Sequence, residues 1–272
     1  MYEDASVELS AFRPGGRVFC IASAGCTAMR LSQSHDVVAI DINPRQLDYA
    51  AARLEGAPSV RGTAERVMGF LRTFAPLVGW TRARLEHFVE LDDPAVQLEF
   101  WRRELDTPRL RLAFDAVFSV TALRSVYSPQ LLEFLPRRFG ATMRARLRRC
   151  FGRHPNRTNP YVRALLLGDV ADAAISAGPV TLVQGDAASW LERAPKASFD
   201  GFTLSNILDG ASPEYRSRLF DAVRHAAAPR AVAALRSFAE PDGPSPWNRA
   251  ADDRAMLWGI VDVRPVAELH AS

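Results

Sequence analysis

The chain has 272 residues, of which 48% are apolar and 24% are charged. This is typical of a globular protein with one large domain, or with one domain that carries a sizeable insertion. No stretch approaches the roughly 18 consecutive apolar residues of a membrane span, and the acidic start, residues 1–4, lacks the apolar core of a secretory signal peptide. The three cysteines, Cys20, Cys26 and Cys150, form no C-x-x-C pair, which argues against a disulfide framework or a structural zinc site. We therefore expect a cytoplasmic protein without a bound metal.

Positive charge is concentrated in the middle of the chain. Residues 61–170 contain 19 arginines and 11 acidic residues, whereas the net charge of the whole chain is +3. Either a solvated helical face or a surface for an anionic partner explains this distribution. Arginines and aromatic residues do not alternate as they do in nucleic-acid-binding motifs, so we expect no nucleic-acid partner and at most peripheral membrane contact through the basic segment.

The first part of the chain alternates apolar runs with helix signals. Arg17–Ala22 and Val37–Ile40 predict buried strands, and the small residues of Ser23–Cys26 predict a tight turn between the first strand and a short helix. Asn43-Pro44 predicts the start of a helix, because asparagine caps a helix and proline suits its first turn. This alternation is typical of a parallel α/β sheet.

The middle of the chain, from about Gly62 to Gly168, contains helical patterns and no convincing strand. The predicted helices are Ala64–Phe74, Arg82–Glu90, Pro94–Leu105, Arg109–Val117, Pro129–Leu135, Ala141–Cys150 and Pro160–Leu167. This stretch is too long for an ordinary crossover between strands. We therefore predict a helical cap, residues 61–167, inserted between two Rossmann-like parts, residues 1–60 and 168–272.

Strand signals return after the helical segment. The predicted strands are Val180–Val183, Phe199–Leu204, Ala231–Leu235 and Met256–Val263, and the predicted helices are Ala187–Arg193 and Pro213–Ala226, the latter with Ser212 as its N-cap. The fold class that these elements predict is α/β, with a Rossmann-like parallel sheet and a large inserted cap.

Three predicted strand ends carry residues suited to a nucleoside. Ligands of open α/β sheets bind outside the carboxyl ends of the strands, where Gly25 allows close backbone approach and Asp41, 18 residues after Ser23, can bind ribose hydroxyls. A dinucleotide would favour the full G-x-G-x-x-G motif, so a nucleoside without phosphates, S-adenosylmethionine (SAM), fits better, with Asp186 near the adenine amine. The candidate binding residues are Ser23, Ala24, Gly25, Cys26, Asp41, Ile42, Gln46, Gly185, Asp186, Ala187 and Ser205.

Several segments resemble one enzyme family. Ile21–Cys26, Val38–Leu47, Asn159–Tyr161, Ser198–Asp209 and the N-terminal Tyr2–Asp4 are similar to the BtaA-type family, which transfers the 3-amino-3-carboxypropyl group of SAM to diacylglycerol. The resemblance implies a class I SAM-binding fold in which SAM is a substrate. It also implies a catalytic region formed by Tyr161, Asn159, Ser205, Asn206 and Asp209. The chain is short for that family and has Asn206 where an aspartate is frequent, so the acceptor stays open.

The roles of these residues have structural alternatives. Tyr161 could face the sulfonium through a cation–π contact, or its ring could simply pack at the start of a helix. Asn159 could bind the amino or carboxylate end of SAM, or it could cap that helix. Asp209 could act as a base or pair with an arginine, while Arg157 and Arg163 are candidates to clamp the SAM carboxylate.

Three activities remain open at this stage. The first is cleavage of the Cγ–S bond of SAM, with transfer to a small-molecule or lipid-type acceptor or cyclisation to azetidine-2-carboxylate, as in azetidine-2-carboxylate synthase-like enzymes. The second is methyl transfer to a small molecule or lipid. The third is SAM binding without catalysis. The released nucleoside distinguishes the first two, because Cγ–S cleavage yields methylthioadenosine and methyl transfer yields S-adenosylhomocysteine.

Overall fold

A six-stranded sheet organises the protein. The computed structural model describes residues 3–60, 62–119, 132, 135–169 and 177–270. The strands lie in the order β3-β2-β1-β4-β5-β6, with the first five parallel and β6 antiparallel to β5. This is the strand order of a Rossmann-like sheet, so the predicted fold class is confirmed. The strands are β1 (Arg17–Ile21), β2 (Asp36–Asp41), β3 (Val180–Gln184), β4 (Phe199–Thr203), β5 (Ala227–Ser237) and β6 (Ile260–Pro265).

Helices precede, connect and cover these strands. In chain order they are α1 (Ser6–Ala11), α2 (Cys26–Leu31), α3 (Pro44–Leu54), α4 (Thr63–Thr73), α5 (Arg82–Val89), α6 (Pro94–Phe100), α7 (Pro108–Val117), α8 (Phe139–Phe151), α9 (Pro160–Leu167), α10 (Ala187–Leu191) and α11 (Pro213–Ala226). Short 3-10 turns occupy Ala75–Val78 and Val266–Glu268, and a π-helical turn occupies Trp101–Leu105.

The central strands β1, β2 and β4 are buried on both faces of the sheet. Alternate residues of β1 belong to two separate hydrophobic clusters: Phe19 packs on one face, whereas Val18 and Cys20 pack on the other, and all three are fully buried. Burial on both faces explains why the strands read as continuous apolar runs in the sequence. Because the core fixes the strands, their carboxyl ends form a rigid edge for a binding site.

The helices between α3 and β3 have a hydrophobic cluster of their own, which includes Trp101, Phe88 and Phe151. Buried Arg146 of α8 links these helices to the segment between β5 and β6, because its guanidinium donates to the carbonyls of Phe238 and Leu257. The boundaries of the proposed cap, residues 61–167, stay a prediction.

The structure moves the starts of two predicted strands by four residues each. The predicted strand Met256–Val263 begins only at Ile260, and Met256 itself has a φ of 67°, which a strand does not accommodate. Strand β5 begins four residues earlier than predicted, since its register shift relative to β4 accommodates Pro229.

The predicted helix Pro94–Leu105 changes from α to π geometry after Phe100. Helix α1 has no counterpart in the sequence-based prediction. The predicted helix Pro129–Leu135 falls largely outside the described residues.

Candidate functional site

The turn after β1 presents backbone to the carboxyl edge of the sheet. Ser23 and Gly25 both have left-handed backbone, with φ of 45° and 80°. A Cβ added at Gly25 would lie 3.0 Å from the Cβ of Ala50, so both conformation and space favour glycine here. Ala24 and Cys26 are partly exposed in the same turn, and Arg53 of α3 donates to the Cys26 sulfur at 2.8 Å.

Asp41 ends β2 directly beside this turn. One carboxylate oxygen accepts from the Ser23 amide at 3.0 Å and the other from the Asn43 amide at 2.9 Å. A carboxylate can accept about four hydrogen bonds, so acceptor positions remain for a ligand. Ile42 follows with 72% of its surface exposed, and Gln46 lies partly exposed in the first turn of α3. The arrangement offers a fixed carboxylate beside apolar surface.

The end of β3 adjoins Asp41. The Gly185 amide donates to the Asp41 carbonyl at 3.0 Å, and Asp186 caps α10 by accepting from the Ser189 amide at 2.8 Å. Partial burial opposes ionisation of Asp186, but hydrogen bonds from Tyr215, at 2.7 Å, and from Ser189 outweigh it and hold the pKa of this carboxyl below its ordinary value. Asp186 is therefore an anion with most of its acceptor positions used, and Ala187 after it is buried.

The end of β4 holds the predicted reaction region. Ser205 is buried, has a φ of 51°, and its hydroxyl donates to the carboxylate of Glu3. Asn206 follows it and is partly exposed. The Asp209 carboxylate instead accepts from the Ser237 hydroxyl at 2.6 Å and from the Phe238 amide at 3.0 Å, so it fixes the end of β5.

The residues predicted at the start of α9 divide into two roles. Asn159 is buried, and its side chain accepts from the Tyr161 amide at 3.0 Å and donates to the Arg254 carbonyl at 3.1 Å. Its amide group is thus used within the protein, and it acts by fixing the helix start. The Tyr161 hydroxyl donates to the Glu3 carbonyl at 2.7 Å. Burial raises the pKa of Tyr161 far above its ordinary value, so the phenol stays protonated.

The N-terminal segment contributes residues that the sequence did not assign to the site. Glu3 accepts from the hydroxyls of Thr27 and Ser205, which follow β1 and β4. The one available signal was the resemblance of Tyr2–Asp4 to a family segment, and Tyr2 lies outside the described residues. Arg157 and Arg163, considered for the SAM carboxylate, form ion pairs with Glu90 and other exposed acids.

Behind Glu3 lies a buried ionic network. Arg236 of β5 pairs with Glu8 of α1 and, at 3.4 Å, with Asp253, and all three side chains are almost fully buried. Asp4 pairs with Arg254 at 2.5 Å. Together these pairs attach the N-terminal segment to β5 and to the segment before β6.

The described part of the chain contains neither a candidate metal site nor a candidate membrane span. No group of three or more His, Cys, Asp or Glu side chains there is placed to hold a metal ion. None of the helices in that part is both long and apolar enough to cross a membrane.

Comparison with known proteins gives a distant structural match. A SAM-dependent methyltransferase from Methanosarcina mazei resembles this chain with a TM-score of 0.37 and 11% sequence identity. The match covers 84% of this chain and 55% of the other, so this chain spans about half the length of that protein. No family model matches the chain, and no curated protein matches its sequence. The specific resemblance to the BtaA-type family has no support from these comparisons.

Proposed function

We propose that the protein binds SAM at the carboxyl edge of its sheet and breaks a carbon–sulfur bond of this sulfonium. The observation that carries the proposal is Asp41, whose carboxylate is fixed by two backbone amides beside the β1–α2 turn and retains acceptor positions for two ribose hydroxyls. Exposed Ile42 supplies apolar surface for the adenine ring. Asp186, at the neighbouring strand end, is the candidate partner of the adenine amine.

The bond that we propose to break joins the sulfur to Cγ of the methionyl chain. The carbon that reacts in a sulfonium is the one held at near-attack distance from a nucleophile. Attack on Cγ returns the electron pair of the carbon–sulfur bond to sulfur, releases methylthioadenosine and frees a proton from the nucleophile. The nucleophile is a small-molecule or lipid-type acceptor, or the α-amine of SAM itself. In the second case the α-ammonium first loses a proton, and the neutral nitrogen then attacks Cγ and closes azetidine-2-carboxylate. The preference for Cγ rests on the sequence resemblance to the BtaA-type family.

Tyr161 is the residue that we assign to the sulfonium. An aromatic face stabilises a cation by about 0.5–2 kcal/mol, and the hydrogen bond to Glu3 restrains this ring at the start of α9. Since its phenol stays protonated, Tyr161 does not serve as a base. Ser205 and Asn206, at the end of β4, are the remaining candidates to contact the reacting end of the donor.

Methyl transfer is the alternative activity. The geometry around Asp41 suits the adenosine that all SAM-dependent enzymes share, and it does not select which carbon reacts. A SAM-binding protein without catalysis has the same nucleoside site.

One assay separates these activities. Purified protein is incubated with SAM alone and then with candidate amine and lipid acceptors, and the products are identified by mass spectrometry. Methylthioadenosine together with azetidine-2-carboxylate or an acceptor adduct supports Cγ–S cleavage, whereas S-adenosylhomocysteine with a methylated acceptor supports methyl transfer. Tight SAM binding by calorimetry without either product supports the binding module, and absence of SAM binding refutes the proposal.

A further inference from the structure

Glu3 is a buried carboxylate at the proposed reaction site. It belongs to the N-terminal segment and is 8% exposed. One oxygen accepts from the Thr27 hydroxyl at 3.0 Å, and the other accepts from the Ser205 hydroxyl. Thr27 lies in the first turn of α2 and Ser205 directly after β4, so the carboxylate bridges the carboxyl ends of two adjacent strands, β1 and β4.

Glu3 differs from the other buried carboxylates around it. Asp4 is paired with Arg254, and Glu8 and Asp253 share Arg236. Among the salt bridges of the described residues, none includes Glu3, and Arg236 acts on it only at longer range. A buried carboxylate without a cation is costly, and hydroxyl hydrogen bonds compensate only part of that cost. Among the described residues, Glu3 thus has no cation as a direct ion-pair partner. It lies where the reacting end of the donor is expected.

We infer that the Glu3 carboxylate binds the α-ammonium group of the SAM methionyl chain. This inference rests on the proposed function, which places adenosine at Asp41. The ammonium is a compact cation with three donors, and it would supply the charge partner that Glu3 lacks among the described residues. The Glu3 backbone carbonyl meanwhile accepts from the Tyr161 hydroxyl. The same residue thereby positions the ring assigned to the sulfonium and selects donors that carry an amino group.

Calorimetry with three unreactive nucleosides tests this inference. S-adenosylhomocysteine carries the amino group, its deaminated analogue lacks that group alone, and methylthioadenosine lacks the whole aminocarboxypropyl chain. For the wild-type protein we expect the deaminated analogue to bind at least about tenfold more weakly than S-adenosylhomocysteine, as is typical for loss of a hydrogen bond to a charged group.

The matched variant is Glu3→Gln, which keeps an oxygen acceptor and removes the charge. We expect this variant to bind S-adenosylhomocysteine at least about tenfold more weakly than the wild-type protein does, and to bind methylthioadenosine with unchanged affinity. Asp41→Ala is the control, because it should lower the affinity for all three ligands by a similar factor. If Glu3→Gln does not fold, Glu3→Asp, which withdraws the charge by one methylene, should show the same selectivity with a smaller effect.

Two outcomes would overturn the inference while leaving the proposed function intact. One is equal wild-type affinity for S-adenosylhomocysteine and its deaminated analogue. The other is a folded Glu3 variant whose affinity for methylthioadenosine falls as much as its affinity for S-adenosylhomocysteine, or whose affinity for both ligands is unchanged. Failure of the wild-type protein to bind any of the three nucleosides would instead refute the proposed function itself.

Discussion

At the scale of single residues, Asp41 makes the most direct prediction. Asp41→Ala should weaken SAM binding at least tenfold, because loss of a charged hydrogen-bond partner typically costs about 1.5–3 kcal/mol. The variant also frees the Ser23 and Asn43 amides that this carboxylate binds. Asp41→Asn, which retains one carbonyl acceptor, is therefore the control and should lose less affinity. Unchanged calorimetric affinity in a folded Ala variant would contradict the ribose assignment.

Tyr161 makes a second prediction, in which the ring and the hydroxyl are separated. Tyr161→Phe removes one hydrogen bond to the Glu3 carbonyl, so we expect about 1 kcal/mol lower stability and substantial remaining activity. Tyr161→Ala removes the aromatic face and should lower kcat at least about a hundredfold, with a smaller change in SAM affinity. Steady-state kinetics of both variants test this prediction. An equal loss of kcat in both variants would assign the function to the hydroxyl. Full activity of the Ala variant would show that the ring only packs in the core.

Residues with local signals were predictable and residues with distant partners were not. The positions of Asp41 and Asp186 at strand ends could be predicted from the sequence, because Asp41 directly follows the apolar run Val37–Ile40 and Asp186 comes three residues after Val180–Val183. Glu3 could not, because its hydroxyl partners Thr27 and Ser205 lie 24 and 202 positions away in the chain. No periodicity within the N-terminal segment reports such contacts.

At the scale of elements, the start of α9 allows a test of how the structure uses Asn159. Its side chain caps the helix and also donates to the partly buried Arg254 carbonyl, whereas Ser212 caps α11 on the surface and accepts from the Tyr215 amide. Ser212→Ala should therefore cost about 1 kcal/mol of unfolding free energy. Asn159→Ala should cost about 2–4 kcal/mol, because it also removes the hydrogen bond to the Arg254 carbonyl, which is left with the long contact from the Cys150 thiol, at 3.7 Å. Urea unfolding measures both, and equal costs would show that the contact with Arg254 adds no stability.

Helix starts were predictable because capping is local chemistry. Asn43, Asn159 and Ser212 each precede a proline, and each caps the helix that begins at that proline. The extent of β5 was not predictable, because Pro229 interrupts the apparent strand while the register shift against β4 accommodates it. That shift depends on a partner strand nearly thirty residues earlier in the chain.

At the scale of the whole molecule, a buried network of charges connects the N-terminal segment to the last strands. Arg236 lies between Glu8 of α1 and Asp253 of the segment before β6, and Thr203 of β4 donates to Glu8 at 2.9 Å. Breaking a buried pair by removing one partner typically costs about 3–5 kcal/mol. The network therefore makes the position of the N-terminal segment, and with it Glu3, depend on the complete sheet.

Asp253 gives this network a pH dependence. Burial is the main cause that raises its pKa from 3.8 to about 7, against the opposing effects of Arg236 and the Ala255 amide. Between about pH 4 and 7 the unfolded chain has lost this proton while the folded protein retains it, so stability falls as pH rises through that window, by at most about 1.4 kcal/mol per pH unit. His154 opposes this trend, because burial lowers its pKa and its contribution is lost as pH falls below about 6.5.

The effect of Asp253 is isolated by comparing variants. The unfolding free energy of the wild-type protein minus that of Asp253→Asn should decrease from pH 4.5 to 7, since His154 is present in both proteins and cancels. Asp252→Asn is the neighbouring control: its carboxyl is only partly buried, and hydrogen bonds from Arg249 and Arg153 outweigh that burial and lower its pKa, so its contribution is already complete above about pH 4. The corresponding difference for Asp252→Asn should stay constant over the same range. A constant difference for Asp253→Asn as well would mean that Asp253 is ionised in the folded protein throughout, and Arg236 would then carry two buried anions at once.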